Sequence, residues 1–397
     1  MIISDLVDPK QYPYYMLTHQ KELFDLEDNV TYLNGAYMSP QLKSVEKAGL
    51  QAILKKGRPY QITSEHFLDQ RKVLREKFAN LIEAEDYRNI AIIPSASYGI
   101  ASVANNIKLR QGDEIVLVTE QFPSNVYVWK RLAEKSGATL RFVAPPNDFT
   151  DRGQRWNQEI LKAINPKTAV VAMAHVHWAD GTLFDLETIR EVTLKHRALL
   201  IIDGTQSVGA LPFSVKALQP DALICAGYKW LMGPYSLGVA YYNDTFNDGE
   251  PIEDNWLNRL KSEDFSKLTQ YQDAYQPKAE RYIMGESSNF VLVPMLIKAI
   301  EQLLEWNPEN VQHYCHDISN DAIKELRSLG CFIEEDAHRA KHLFGVYLPT
   351  TMSMEDIKAR LIAANIYVSY RGSAIRISPN VYNTAVDFEK LVSCFYP

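Results

Sequence analysis

Between Ile90 and Ala226, short apolar β-rich runs alternate with helical patterns, and this alternation restricts the fold more than any other feature of the chain. The candidate strands are Ile90–Ile93, Glu114–Thr119, Thr139–Val143, Thr168–Ala174, Ala198–Ile202 and Asp221–Ala226. Most are near-continuous apolar runs, as expected of strands covered on both faces of a parallel sheet. Helical patterns lie between them. One covers Ser124–Lys135, a second places Trp156, Ile160 and Ile164 at spacing four, and a third sets Leu186, Ile189 and Thr193 behind the candidate N-cap Asp185. Such alternation predicts an α/β fold with a mostly parallel, doubly wound sheet.

Two helices, Pro40–Gly57 and Glu65–Ile82, precede the alternation, the second with Phe67, Leu74, Phe78 and Leu81 on one side. After about residue 290 the pattern changes. Two long helical stretches lead to shorter strands, Cys331–Glu334, His342–Leu348, Ile366–Ser369 and Ala374–Ser378, and to a final helix at Val386–Cys394. The chain therefore divides into a large domain over residues 30–285 and a smaller α+β domain over 286–397, joined by residues 1–29. Residues 244–288 are polar and turn-rich, with no readable element.

Composition narrows the function. The 397 residues, 46% hydrophobic and 23% charged, suffice for a continuous core. A net charge of −7 without a basic tract argues against nucleic acid as partner. The cysteines Cys225, Cys315, Cys331 and Cys394 form no CxxC pair, which fits reduced thiols rather than a disulfide framework or zinc ribbon. Asp5 and Asp8 precede any basic residue, and no run of about 18 apolar residues follows. The expectation is a soluble, cytoplasmic chain without a membrane partner.

In open parallel sheets, ligands bind beyond the carboxyl ends of the strands. Polar and aromatic residues follow five of the apolar runs: Ser95-Ala96-Ser97, Glu120-Gln121-Phe122, His175-Val176-His177-Trp178, Asp203-Gly204-Thr205-Gln206 and Gly227-Tyr228-Lys229. Ser95, Ala96 and Ser97 open a helical pattern, where free backbone amides and hydroxyls hold an anion such as phosphate; Ser95 also serves as an ordinary N-cap. Asp203 at a buried strand end needs a partner, either a metal, an arginine, a protonated ring nitrogen or loop amides. Lys229, in apolar company, has its ammonium disfavoured and its amine freed for Schiff-base chemistry, unless it snorkels to solvent. Arg376, in the alternating run Ala374–Ser378, suits a bidentate grip on a carboxylate, or simply faces solvent. Together, a phosphate cradle, a strand-end Asp and a strand-end Lys are the parts that hold pyridoxal 5'-phosphate.

The segments Ile201–Gly209 and Ala226–Pro234 resemble the class V aminotransferases of fold type I, as do Tyr32–Ala36 and Arg376–Thr384. These motifs span residues 32–384 in the family's order. Gly227–Pro234 and Gly285–Phe290 most resemble the isopenicillin N epimerase-like branch, with kynureninases and cysteine desulfurases as cousins. The resemblance implies that Lys229 carries the cofactor and moves the Cα proton, while Asp203 pairs with the pyridinium nitrogen and Gln206 reaches the phenolic oxygen. Phe122 would stack on the ring. Ser95, Ala96, Ser97 and Tyr228 would bind phosphate. Arg376 would hold the substrate carboxylate, Asn34 would bind the substrate, and Ser287 would approach the cofactor of a second subunit, implying a homodimer.

Two departures stand out. The loop Val368–Ser373 lacks the thiol that desulfurases carry before their arginine, and Trp178 replaces an asparagine. Aminotransfer leads on family naming, with β-elimination and epimerisation as alternatives. The substrate pocket is expected near Asn34–Ser39 and Tyr370–Ser373. A rival of another class is a metal-dependent hydrolase using His175 and His177 with Asp180 or Asp203, although that leaves Lys229 and the Ser95 segment without a role. No GxGxxG, Walker A or GxSxG motif is present.

Overall fold

The structure, a computed structural model, describes residues 17–396. Asp5, Asp8 and the rest of residues 1–16 lie outside the described residues. In chain order the first elements are β1 (Thr31–Tyr32), α1 (Lys43–Lys56), α2 (Asp69–Leu81), β2 (Ile90–Ile93), α3 (Ala96–Asn105) and β3 (Glu114–Val118). There follow α4 (Tyr127–Ser136), β4 (Thr139–Val143), α5 (Arg152–Ala163), β5 (Thr168–Ala174), α6 (Leu186–His196) and β6 (Leu199–Asp203). The series continues with α7 (Val215–Leu218), β7 (Ala222–Ala226) and β8 (Gly238–Tyr242).

Among the described residues, seven of these strands form one sheet in the order β2-β8-β7-β6-β5-β3-β4. The pairs β3–β4, β3–β5, β5–β6 and β6–β7 are parallel, while β8 is antiparallel to both neighbours. Period-2 geometry sends alternate side chains to opposite faces. Ile90, Ile92, Val116, Val118, Leu200 and Ile202 accordingly join one apolar cluster, and Ala91, Ile93, Ile115, Leu117 and Ile201 the other. Helices α3 and α4 cover the second face with Ile100, Val103 and Trp129.

Strand β8 was not expected from the sequence, because Gly233, Pro234 and Gly238 break up the segment containing it. Gly238 is what lets it pair closely: a Cβ there would lie 2.6 Å from the Cys225 carbonyl. The expected helix Glu65–Ile82 is interrupted at Leu68, with a 3₁₀ turn at Ser64–Phe67 before α2. Residues 244–288 contain short 3₁₀ turns at Asp244–Phe246, Trp256–Asn258, Phe265–Lys267 and Lys278–Tyr282.

The remaining elements are α8 (Leu292–Trp306), α9 (Pro308–Ser328), β9 (Phe344–Tyr347), α10 (Met354–Ala363), β10 (Ile366–Tyr367), β11 (Ser369–Arg371), β12 (Ala374–Ile377) and α11 (Ala385–Ser393). Strands β11, β12 and β9 form an antiparallel sheet whose cluster includes Phe344, Ile375, Leu361 and Phe388. The expected strand Cys331–Glu334 is reduced to a single bridge, Phe332 to Tyr347, because the β9 edge is engaged there by one residue only. The expected strand Ile366–Ser369 is two strands. Its first half, β10, pairs in parallel with β1, and the chain then changes partner so that β11 pairs with β12. Residues near the N-terminus reach the C-terminal segment, since Gln20 N donates to the Val381 carbonyl at 2.8 Å.

The loop after β6 is locked against the segment after β7. Gly209 has φ +104°, and a Cβ there would meet the Trp230 carbonyl at 2.2 Å. The Gly209→Ala variant is expected to lose at least about 3 kcal/mol of stability, since strain and a backbone clash coincide. A urea-unfolding midpoint unchanged from wild type would contradict this.

Candidate active site

A cavity of about 290 Å³ opens at the carboxyl ends of β2, β5, β6 and β7, lined among others by Ser95, Phe122, Trp178, Asp203 and Lys229. Each of the five strand-end segments singled out from sequence contributes to it, although Glu120 and His175 are not in the lining. Ser95 caps α3, accepting the Tyr98 amide at 3.2 Å, and its hydroxyl lies 2.9 Å from that of Ser97. The first amides of a helix have no intrahelical acceptor, so those of Ala96 and Ser97 are available to an anion.

Asp203 and Lys229 sit on neighbouring strand ends, 8% and 7% exposed. Asp203 accepts the Thr205 amide at 3.0 Å. Burial pushes its pKa up, partly offset by Thr205 and by the charge of Lys229. Burial pushes the Lys229 amine down to about 8, with Asp203 opposing and Arg376 and Arg371 adding to the depression. Desolvation thus works against both charges, and a cation beside Asp203 would restore its carboxylate. The Lys229 Nζ stands 5.3 Å from the Phe122 ring centroid and 5.6 Å from that of Tyr228. Gln206 also lines the cavity, but its amide nitrogen donates to the Ala36 carbonyl and its oxygen accepts the Trp230 indole, which leaves one N–H for a ligand.

The wall opposite is built around Trp178. Its ring meets Phe122 edge-on at 5.4 Å, and its indole donates to the Glu120 carbonyl at 2.7 Å. Beneath it, the His177 ring contacts the Asp180 carboxylate at 3.0 Å and the Glu120 carbonyl at 3.2 Å. Asp180 pairs in turn with Arg152 at 2.8 Å. Burial would raise the Asp180 pKa, but His177 and Arg152 outweigh it and hold the carboxyl well below its usual range.

This arrangement corrects the metal reading. His175 turns away to pack on Phe213, while His177 is tied into the Asp180 network. Among the described residues no group of three or more His, Cys, Asp and Glu side chains is placed to hold a metal. The His177–Asp180 spacing marks a structural turn. Its backbone hydrogen bond from the Gly181 amide to the His177 carbonyl, 2.9 Å, is a signal that sequence alone does not display.

Three expected residues lie outside the cavity lining. Arg376, 1% exposed, donates to the Trp178 carbonyl at 2.9 Å and to the Ser369 hydroxyl at 3.3 Å, and its Nε is buried without a partner. Burial, with help from Arg371, lowers its pKa to about 9. Asn34 accepts the Ser369 hydroxyl at 2.7 Å, which joins it to Arg376 through one side chain. Ser287 is fully buried, with an unpartnered hydroxyl. Sequence reasoning passed over Arg371, whose guanidinium lies 5.4 Å from the Trp178 ring centroid. Its signal was a cation where related enzymes carry a thiol-bearing loop.

The donors fit pyridoxal 5'-phosphate: a helix N-terminus for its phosphate, an amine for its aldehyde, a carboxylate for its ring nitrogen and an aromatic face beside the amine. With a pKa near 8, about a tenth of Lys229 is neutral at pH 7, far more than for an ordinary lysine. Attachment of the cofactor to cofactor-free protein should therefore accelerate up to about pH 8 and level off above it. In Asp203→Asn the midpoint should move to lower pH, because Asp203 supports the ammonium form. Stopped-flow absorbance checks both, and a rate still rising through pH 10 would contradict the first.

Comparison with known proteins agrees with this chemistry. Residues 56–391 match the family model described as aminotransferase class-V. An uncharacterized aminotransferase, YcbU, of Bacillus subtilis is 24% identical over 80% of both chains. A cysteine desulfurase of Synechococcus elongatus is 27% identical over 63% of this chain but only 39% of its own length. Among solved structures, a mutant of C-DES with glycine covalently linked to its PLP cofactor superposes with TM-score 0.83 at 18% identity, covering 95% of this chain and 98% of that one. The Escherichia coli cysteine desulfurase CsdA gives 0.79 at 19%, covering 94% and 96%. These likenesses show the shared fold, that of fold type I pyridoxal-phosphate enzymes. The family match extends over most of the sequence, and the chain is a member of the class V aminotransferase family, whose enzymes use pyridoxal 5'-phosphate.

Proposed function

We propose that the chain acts on an α-amino acid by removing its Cα proton, with aminotransfer as the outcome. The observation that carries this reading is Lys229, a buried amine with its pKa lowered to about 8, set beside the buried carboxylate of Asp203. Pyridoxal phosphate, when bound, supplies an electron sink that makes a Cα–H bond acidic.

The chain's own residues do the rest. Lys229 would hold the cofactor through its amine, and as a free amine it would serve as the base toward the Cα proton, with a pKa that suits neutral pH. Asp203 keeps the cofactor's ring nitrogen protonated. The α3 N-terminus, with Ser95 and Ser97, clamps the phosphate, and Tyr228 adds its phenol. Phe122 and Trp178 set aromatic rings beside the amine. Arg376 takes the substrate carboxylate, its guanidinium already aimed by Trp178 and by Ser369, which Asn34 holds. In this reading residues 30–285 form the cofactor-binding unit and the enzyme is a homodimer, but Ser287, expected at the site of a second copy, has no exposed surface in the single chain and does not reach a partner. Among the described residues no helix is long and apolar enough to cross a membrane, and we place the enzyme in the cytoplasm.

A second reading, β-elimination, is favoured by the names of relatives: cysteine desulfurases, and a cystine C-S lyase among the structural neighbours. The thiols argue against sulfur held on the protein. Cys225, Cys315, Cys331 and Cys394 are all buried, and burial raises the pKa of each. Elimination here would release its leaving group to solvent.

Purified wild type should show a visible band of lysine-bound cofactor that survives dialysis and is absent from Lys229→Ala. A colourless wild type after incubation with the cofactor overturns the reading. Amino acids that perturb the band then separate the outcomes. Aminotransfer yields a keto acid and turns over only with a second keto acid as acceptor, whereas elimination releases ammonia without one.

A further inference from the structure

Two guanidinium groups bracket Trp178, and only one of them is used in the reading above. Arg376 donates to the Trp178 carbonyl, and Arg371 lies over the face of the same residue's ring. The two arginines belong to adjacent strands, β11 and β12, and Arg371 pairs with Ala374 beside the turn through Gly372. A Cβ at Gly372 would meet nothing within 4 Å, so the hairpin tip has open space around it.

Arg371 is half-buried and poorly satisfied. One amine donates to the carbonyl of its own neighbour Tyr370 at 2.7 Å, and its Nε is buried with no partner. Among the described residues, neither Arg371 nor Arg376 forms a salt bridge: their hydrogen bonds go to carbonyls and one hydroxyl. A guanidinium has five donors in a planar fork, and partial burial without an anion is unfavourable. The contact with the Trp178 ring holds the Arg371 group beside the cavity wall, and most of its five donors have no partner there. Neither arginine is in the cavity lining itself; both adjoin it through Trp178, which lines it. The positive groups here are Lys229, Arg371 and Arg376, against the buried Asp203.

The anions of the proposed reaction account for all but one of the anion sites. The cofactor phosphate goes to α3 and the substrate α-carboxylate to Arg376. We propose that Arg371 is a specificity-determining residue that binds a second carboxylate, so that the substrates are amino acids with an acid group at the far end of the side chain. A dicarboxylate would also relieve the repulsion between the two guanidiniums by pairing with both. This inference rests on the reading of the site as one for an α-amino acid.

The test uses the cofactor-loaded protein and two unreactive probes of equal length, succinate and butyrate, titrated by calorimetry and by displacement of the cofactor band. Wild type should bind succinate at least tenfold more tightly than butyrate, as one charge-assisted pair of hydrogen bonds supplies. In Arg371→Leu the ratio should fall to near one while butyrate affinity stays within about twofold, and Arg371→Lys should keep part of the preference. Equal binding of the two probes by wild type overturns the inference. So does an Arg371→Leu variant that weakens both alike, which would make Arg371 a brace for Trp178. If Arg371→Leu fails to fold, the wild-type ratio alone decides. A protein whose band is present and responds to amino acids, yet shows no dicarboxylate preference, keeps the reaction class and loses this inference. A protein without the band loses both.

Discussion

Because β8 runs antiparallel between β2 and β7, it returns those two strands to a common direction, and their carboxyl ends meet at one edge of the sheet. Without that reversal the α3 N-terminus would point away from Lys229. With it, the helix end and the amine lie about two strand spacings apart, roughly 10 Å. Asp203 arrives from β6, the parallel neighbour of β7. An anion site, an amine and a carboxylate thus line up along one sheet edge at spacings set by backbone hydrogen bonding, which is stiffer than any loop could be.

That geometry sets the electrostatics. Lys229 and Asp203 are both buried, and in both cases burial is the largest influence on protonation, acting against the charged form. Each charge partly rescues the other, but Arg376 and Arg371 tilt the balance by adding positive potential around Lys229. A site of this kind is unsettled on its own and is satisfied by a ligand carrying anions at its periphery and a protonatable nitrogen at its centre. The polarity of the cavity argues for the same class of occupant as the family does, from independent premises.

The parallel part of the sheet was legible because strands buried on both faces leave continuous apolar runs, and the residues ending those runs did converge. Strand β8 was not legible: its glycine looks like a breaker in one dimension and acts as a close-approach residue in three. Gln206 was readable as a cavity residue, but its engagement with Ala36 and Trp230 depends on contacts 170 and 24 residues away. His177 and Asp180 looked like chemistry and proved to be a buried turn, since partner identity is invisible to spacing. Arg371 was seen only as a missing thiol, because a lone arginine in a strand carries no signal until Trp178 is placed under it.

The C-terminal segments do more than supply Arg376. The Gly345 amide donates to the Asp180 carbonyl at 2.8 Å and the Ala340 amide to that of Gly181 at 3.0 Å, so the turn under Trp178 is held from the C-terminal side. The loop after β6 is held from the same side by His342, whose pKa burial lowers to about 4. A neutral imidazole has one donor and one acceptor. Its Nε2 contacts the Gln206 carbonyl at 2.8 Å, and a carbonyl only accepts, so the proton is on Nε2. The Nδ1 then accepts from the Gln312 amide at 2.6 Å, and that amide also donates to the Ala210 carbonyl. Both ends of the chain Gln312–His342–Gln206 are therefore fixed in polarity, with no freedom to flip a tautomer without leaving a buried group unpaired. The loop that carries Thr205 and Gln206 is thereby tied to the segment entering β9, the strand paired with the one that carries Arg376.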